Sequence, residues 1–303
     1  MSKLISGLFA GAVAVLTMSH SAPAAAASTW NLGTTCDPSP IQGTYVVGGN
    51  SLSCATGVPA ETMTATAWSN IGTGSTFLRA SMGDFATNGV GVYSGTNESS
   101  WDSQHAFDNI STTCQNSAGT TFATNCGGTQ EFMLINFGPY KVDLDALSIG
   151  YRSGDADVAV LRWDGADTTA AAMSTLLSGK TTGTLTSASN GWTLVATESL
   201  DTTPDTTVVD FGGKVSSWWI VSTYYGTAAA STAGTLTTGD DKFKLSALTA
   251  TVCTTGVYTG GNQGNGGTCG STPPGVPEPG SLALAGLALV GVFASRRKVK
   301  ALF

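Results

Sequence analysis

Residues 142–163 read VDLDALSIGYRSGDADVAVLRW, and this stretch decides the fold class. It contains two predicted strands, at residues 144–152 and 157–163, with Ser153-Gly154-Asp155 as the turn between them. In the second strand both sets of alternating side chains are mostly apolar, which is typical of a strand covered on both faces. The stretch therefore predicts a β-protein with residues 157–163 in the middle of a sheet.

Further candidate strands lie on both sides of this stretch, separated by turns rich in Gly, Asn and Thr. They are predicted at residues 61–68, 76–81, 89–93, 131–137, 192–199, 206–211, 218–224 and 242–253. Residues 169–177 form the one helix predicted in the body, because Ala, Met and Leu recur there at helical spacing and Gly179 can end it. The pattern predicts an all-β fold, a single β-sandwich or jelly-roll-like domain with local disulfides.

The composition favours short strands and excludes one class of partner. Charged residues make up 11% of the chain, against about 25% in a typical soluble domain. Residues 28–277 contain eight Lys/Arg and nineteen Asp/Glu, a formal charge of −11. A surface so poor in basic groups is not expected to bind nucleic acid, whose phosphates need basic contacts.

The N-terminus, residues 1–27, is predicted to be a secretory signal peptide. Lys3 supplies a positive start, residues 4–18 supply an apolar stretch, and Ala25-Ala26-Ala27 supplies a small-residue cleavage site. A transmembrane anchor is disfavoured because the stretch is short and Ala, Ser and Pro follow it instead of charge. Signal peptidase and the secretion machinery are the expected partners. The body is predicted at 28–253, followed by a Gly/Thr/Pro-rich linker at 254–275.

The C-terminus, residues 276–303, has three parts. Val276-Pro277-Glu278-Pro279 is an extended polar motif, residues 281–294 are apolar, and Arg296-Arg297-Lys298 is a basic end. Basic residues after an apolar segment stay on the cytoplasmic side of the inner membrane. The apolar segment has about 14 residues, fewer than the roughly 20 of a permanent span. It is therefore predicted to be a short transmembrane helix that anchors the chain transiently.

This three-part order closely resembles the PEP-CTERM sorting signal of Gram-negative bacteria. The resemblance implies that exosortase, a membrane-embedded transpeptidase-like cysteine enzyme, cleaves the chain at or near the Pro-Glu-Pro motif. The chain is then expected to pass the inner membrane, to be held there briefly and to reach the cell surface or the medium. The signal is a substrate, so it implies no catalysis by this chain.

Three segments in the middle of the chain form a second pattern: QHAFDN at 104–109, EFMLINF at 131–137 and DADVAVLRW at 155–163. Their order is similar to that in a family of exosortase-dependent surface proteins, from which this chain departs by an insertion at 114–128. The resemblance implies an envelope protein that accompanies exopolysaccharide, and it brings no catalytic residues.

The six cysteines all follow the predicted cleavage site, as expected for disulfides formed outside the cytoplasm. Fifteen connectivities exist, and nearest-neighbour pairing is favoured because each such pair brackets a Gly/Asn/Thr-rich loop. Zinc is disfavoured, since there is no Cys-x-x-Cys and the body has one histidine, His105. The predicted pairs are Cys36 with Cys54, Cys114 with Cys126, and Cys253 with Cys269.

Two kinds of binding residue are candidates. Oxygen ligands for calcium are predicted at Asp108, Asn109, Asp155 and Asp157. The competing interpretation is that these residues serve turns and face solvent. Trp68 and Trp101 lie near turns, where a ring can stack on a sugar, although packing in the core competes with that role.

Three functions follow from these features. The first is a non-enzymatic envelope or matrix protein associated with exopolysaccharide or biofilm, with no cofactor except calcium. The second is a secreted carbohydrate-binding module, with or without calcium. The third is a polysaccharide hydrolase, which needs two carboxylates about 5–10 Å apart. A Ser-His-Asp site built on His105 is disfavoured because the sequence has no Gly-x-Ser-x-Gly elbow.

Overall fold

The structure is a computed structural model. It describes residues 27–34, 36–37, 51–55, 61–70, 76–84, 88–93, 106–108, 114–115, 121–123, 130–152, 155–200, 207–208, 211–224, 226, 231–237, 241–253 and 258–269. Ala25–Ser271 form one compact unit. The predicted signal peptide (apart from Ala27) and the sorting segment 276–303 lie outside the described residues. Within the described ranges, no helix is both long and apolar enough to cross a membrane.

Short β-strands form most of the described chain. In the N-terminal half they are β1 (Ala27–Asn31), β2 (Cys36–Asp37), β3 (Ser51–Ala55), β4 (Thr62–Ser69), β5 (Leu78–Arg79), β6 (Ser81–Asp84), β7 (Val90–Tyr93), β8 (Phe107–Asp108), β9 (Cys114–Gln115), β10 (Thr121–Ala123) and β11 (Glu131–Asn136). The remaining strands are β12 (Val142–Arg152), β13 (Asp157–Trp163), β14 (Trp192–Ser199), β15 (Thr207–Val208), β16 (Trp218–Thr223), β17 (Ser231–Ala233), β18 (Lys242–Val252), β19 (Tyr258–Thr259) and β20 (Thr268–Cys269). Every strand predicted from the sequence overlaps one of these.

The strands form two large sheets and two small ones. The seven-stranded sheet has the order β15-β12-β18-β7-β6, with β1 and β8 also paired to β18. The nine-stranded sheet has the order β17-β14-β13-β16-β11-β4-β3-β2, with β5 paired to β4. β9 pairs with β10 and β19 with β20. Among these described strands, only β14 and β17 are parallel. The prediction of a mostly β, disulfide-bonded body is confirmed.

The two strands of the opening sequence lie in different sheets. β12 pairs with β18 in the seven-stranded sheet, whereas β13 lies between β14 and β16 in the nine-stranded sheet. The chain therefore passes from one sheet to the other between β12 and β13. All seven residues of β13 are buried, which confirms its predicted central place.

Both faces of β13 are buried because each contributes to a different core. Val158 and Val160 belong to the main cluster, to which strands of both large sheets contribute. Leu161 and Trp163 belong to a second cluster with Met173 and Leu177. Met173 and Leu177 come from a helix, so helical residues cover the face of the nine-stranded sheet that points away from the main cluster.

The helices are α1 (Ala170–Leu177) and α2 (Thr182–Leu185), followed by a 3-10 helix at Ala188–Asn190. Thr169 begins α1 as predicted, since its hydroxyl accepts a hydrogen bond from the Ala172 N–H at 3.2 Å. Met173 and Leu177 are one turn apart and both buried, and burial of such a side chain contributes about 1.5–3 kcal/mol. α2 was not predicted, because four residues are too few to show helical periodicity.

Two of the predicted disulfides are confirmed. Cys36 and Cys54 are directly opposite each other in β2 and β3. Cys253 and Cys269 join the end of β18 to β20. Cys114 lies in β9, but Cys126 lies outside the described residues, so the Cys114–Cys126 pairing stays a prediction.

The structure differs from the predicted linker at 254–275. Residues 258–269 form the β19–β20 hairpin, and the N–H of Val215 donates to the Gly267 carbonyl at 2.9 Å. The glycines that suggested a linker instead permit a tight turn. A Cβ on Gly261, which has φ +69°, would lie 2.2 Å from the Asn265 carbonyl oxygen.

Candidate functional site

Three aspartates meet where β13 and β18 begin. Asp155, Asp157 and Asp241 each offer one carboxylate oxygen, and these three oxygens lie within 4.8 Å of one another. Asp157 and Asp241 are fully buried, and Asp155 is partly buried. The structure thus brings together two of the residues predicted as calcium ligands and adds Asp241. Sequence reasoning missed Asp241 because it lies 84 positions from Asp157.

Hydrogen bonds from the protein orient all three carboxylates. The Asp157 N–H donates to Asp241 Oδ1 at 2.8 Å, and the Thr237 N–H donates to Asp157 Oδ2 at 2.6 Å. Asp155 accepts from the Ala156 N–H at 3.0 Å and from the Thr237 hydroxyl. Bonds of this kind stabilise carboxylates and join the two strands. The cluster thus has a structural role of its own.

The remaining predicted calcium ligands are placed less completely. Asp108 lies opposite Lys242 in the β8–β18 pair, next in register to Asp241. Asn109 lies outside the described residues. Calcium takes about six to eight oxygen ligands, so the three carboxylates supply only part of a coordination shell. Calcium therefore stays a prediction from the sequence.

The predicted ligand-stacking role of Trp68 is wrong. Its side chain is 1% exposed and lies parallel to the Phe132 ring, with centroids 6.1 Å apart. The Arg79 guanidinium lies 5.6 Å from the Trp68 ring centroid. Trp68 is therefore a core residue. Phe132 and Arg79 contact its ring and leave no room for a ligand. Trp101 lies outside the described residues.

A pocket of about 340 Å³ opens beside a different tryptophan pair, Trp163 and Trp192. The two ring centroids are 5.3 Å apart at an angle of 61°. Trp163 Nε1 donates to the Ala166 carbonyl at 2.8 Å, which fixes its ring. A Cβ on Gly165 or Gly191 would lie 2.2 or 2.7 Å from that ring, so the backbone passes close to it. The other lining residues are Ala166, Leu176, Lys180, Leu185, Ser189 and Asn190.

The sequence pattern did not single out this pocket. Its tryptophans belong to predicted strands and read as core residues, which they largely are. The sequence signal was the glycine beside each of them, Gly165 after Trp163 and Gly191 before Trp192. Glycine at such positions indicates a close approach of the backbone.

The charged side chains near the pocket differ in whether they have a charged partner. Arg162 donates two hydrogen bonds to the Asp164 carboxylate, from Nε at 2.6 Å and from Nη2 at 3.0 Å. Burial by itself raises the pKa of Asp164, but hydrogen bonds from Arg162 and Thr193 and the charges of Arg162 and Lys214 outweigh it. The pKa of Asp164 is therefore lowered from 3.8.

Lys180, in contrast, lines the pocket without a carboxylate beside it. Among the described residues, no acidic one lines the pocket and the Lys180 ammonium has no ion pair. The pocket therefore combines an apolar aromatic wall with a positive charge.

The C-terminal segment has a recognised counterpart among known proteins. Residues 275–298 match the PEP-CTERM protein-sorting motif. No curated protein matches the chain, and no solved structure does. The molecule is thus a mostly β, disulfide-bonded protein with a C-terminal sorting signal.

The matched segment includes both Val276-Pro277-Glu278-Pro279 and Arg296-Arg297-Lys298. It confirms the resemblance drawn from these residues: this is a PEP-CTERM sorting domain-containing protein. The motif implies exosortase-dependent sorting of an exported protein, with placement at the cell surface or outside the cell.

Proposed function

We propose that this chain is a non-enzymatic protein of the cell envelope or extracellular matrix, associated with exopolysaccharide or biofilm. Exosortase releases it from a transient anchor in the inner membrane, and its body is a β-sandwich of the jelly-roll kind. The sorting motif at 275–298 carries this proposal. The Cys36–Cys54 and Cys253–Cys269 disulfides support it, because disulfides persist in oxidising compartments.

The sorting route is tested by replacing Pro277, Glu278 and Pro279 together with Ala. Without these prolines the segment is free to become helical and no longer presents the extended backbone that proteases prefer. The variant is expected to stay in the membrane fraction with a larger mature mass. A matched control replaces Pro273 and Pro274, which precede the matched residues, and should be processed normally. An unchanged mature mass in the triple variant would contradict the sorting role.

The pocket beside Trp163 and Trp192 favours a second candidate function, carbohydrate binding. Its volume of about 340 Å³ lies in the range of small-ligand sites. Trp163 and Trp192 are 7% and 3% exposed, so the exposed parts of their rings can contact apolar C–H groups of a sugar, while Lys180, Ser189 and Asn190 offer polar contacts. Because Lys180, the one charged residue in the described part of the lining, is cationic, we propose that an acidic sugar, such as a uronate residue of a polysaccharide, is the preferred ligand.

This second function is tested by calorimetric titration with oligouronates and with neutral oligosaccharides of equal length. Tighter binding of the uronates is expected, with loss of that preference in Lys180→Gln and its recovery in Lys180→Arg. Lys214→Gln is the control, since Lys214 is exposed and does not line the pocket. Equal affinity in Lys180→Gln and in the wild type would refute the assignment.

Two further measurements address calcium and hydrolysis. Repeating the titration with a chelator tests whether calcium assists binding, since affinity should then fall. Incubation with the producer's own polysaccharide tests for hydrolase activity, for which new reducing ends would be the positive result.

A further inference from the structure

A buried polar cluster joins the C-terminal hairpin to the rest of the body. Its members are Asn265 of the hairpin turn, Lys141 immediately before β12, and Asp167 in the segment between β13 and α1. Asn265 is fully buried and Lys141 is 4% exposed. Burying an ammonium next to a carboxamide costs free energy unless both groups have hydrogen-bond or charged partners.

Asp167 contacts both nitrogen atoms of the cluster with one oxygen. Lys141 Nζ donates to Asn265 Oδ1 at 3.1 Å and forms an ion pair with Asp167 Oδ1. Asn265 Nδ2 donates to the same Asp167 oxygen at 3.0 Å. A single carboxylate oxygen thus lies between the amine and the carboxamide nitrogen, where it can take a proton from one and give it to the other.

The carboxamide oxygen of Asn265 is surrounded by donors. The Ser217 N–H donates to Oδ1 at 3.0 Å and the Ser217 hydroxyl at 3.3 Å. The Ser216 hydroxyl lies 3.2 Å from Oδ1 but donates its proton to the Trp163 carbonyl at 2.8 Å. Asn265 Nδ2 donates to the Gly165 carbonyl at 2.9 Å, which fixes which end of the amide is oxygen. Fixed donors at a carbonyl oxygen stabilise the negative charge that forms there during nucleophilic attack.

We propose that Lys141 and Asn265 form an intramolecular isopeptide bond, with Asp167 as the catalytic base and acid. Asp167 takes a proton from the Lys141 ammonium, and the neutral amine attacks Cγ of Asn265. The oxyanion is held by the N–H and the hydroxyl of Ser217. Asp167 then protonates Nδ2, the Cγ–Nδ2 bond breaks, and ammonia leaves, taking the second proton of the attacking nitrogen as ammonium. The ammonium side chain and the carboxamide thereby yield one new amide and one ammonium ion, without oxidant or cofactor.

The surroundings favour this reaction over hydrolysis. The two reacting groups are held in contact within one chain, which replaces a bimolecular encounter with an intramolecular one. Burial of Lys141 and Asn265 excludes the water that would compete as nucleophile. The Asp167 side chain is 51% exposed, so the leaving group has a route to solvent.

The bond would fasten the segment that precedes the sorting motif. The Cys253 N–H donates to the Lys141 carbonyl at 2.8 Å, so the Cys253–Cys269 disulfide lies beside the new link. A reductant opens a disulfide but leaves an amide intact. The isopeptide bond therefore keeps the hairpin attached to the body when the disulfide is reduced.

Peptide mapping of the mature protein tests the proposal. After reduction, alkylation and trypsin digestion, we expect one branched peptide that joins residues 80–152 to the peptide beginning at Leu245. Its mass should be lower than the sum of the two by one ammonia, with no cleavage after Lys141. Separate peptides with normal cleavage after Lys141 would overturn the proposal, and this measurement needs no variant.

Variants assign the chemistry. Lys141→Arg retains the positive charge and should lose the branched peptide completely, whereas Lys214→Arg, an exposed control, should retain it. Asp167→Asn should delay its appearance after synthesis. Asn265 precedes Gly266, and succinimide formation there also releases ammonia. Loss of ammonia from the Asn265 peptide of the wild type, without a branched peptide, would assign it to the succinimide and overturn the isopeptide bond.

Discussion

Removing the Cys36–Cys54 disulfide by the double substitution Cys36→Ala and Cys54→Ala is expected to destabilise the body strongly. The cysteines face each other in β2 and β3, with Cα atoms 4.1 Å apart. They are 18 positions apart in the sequence. The crosslink therefore restricts a short loop in the unfolded chain, and its loss restores the entropy of that loop.

The size of the effect follows from the length of the loop. A loop of about 19 residues corresponds to about 11 cal/mol/K of chain entropy, or about 3 kcal/mol at 25 °C. For a domain of this size each kcal/mol shifts Tm by about 2–4 °C, so a decrease of roughly 6–12 °C is expected. Both cysteines are buried, so some loss of packing acts in the same direction.

Urea unfolding followed by tryptophan fluorescence measures the change directly. The midpoint should fall, and the slope with urea should rise, because the unfolded chain without the crosslink exposes more surface. Ser51→Ala, on an exposed position of β3, is the matched control and should stay within about 0.5 kcal/mol of the wild type. A double variant as stable as the wild type would show that the loop-entropy reasoning fails for this protein.

Three further predictions concern other sites. Asp164→Asn should lower Tm at neutral pH, because the fold stabilises the ionised form of the Asp164 carboxyl. The difference in Tm between the variant and the wild type should vanish as pH falls below 3.8 and through the lower pKa of Asp164 in the folded state. A difference that persists at still lower pH would contradict this. Gly191→Ala should cost at least about 1–3 kcal/mol, since φ is +79° and the Cβ would lie 2.7 Å from Trp163. Gly179→Ala, with φ +80° and no atom within 4 Å, is its control and should cost less in the same thermal melt. If calcium binds, millimolar Ca²⁺ should raise Tm in the wild type and not in Asp241→Asn, whereas no shift in the wild type would count against the site.

Features that depend on short stretches of chain were predictable. The central place of β13 followed from apolar residues on both of its faces. α1 followed from the helical spacing of Ala, Met and Leu before Gly179. The Cys36–Cys54 pairing followed from proximity in sequence, and the sorting motif at 275–298 followed from residue order alone.

Features that depend on the order of strands were not predictable. Trp68 reads as a residue near a turn, but β4 and β11 place it against Phe132. Residues 258–269 read as a linker because their glycines are equally compatible with a flexible chain and with a tight hairpin.

The sequence by itself thus determined the β-rich class, the local disulfides and the route of export, because neighbouring residues encode each of them. The tertiary structure alone decided which distant residues meet. It placed Asp241 against Asp157 across 84 positions and Asn265 against Lys141 across 124. The pairing of β18 and the return of the hairpin create these contacts, and no local periodicity records a pairing between strands so far apart.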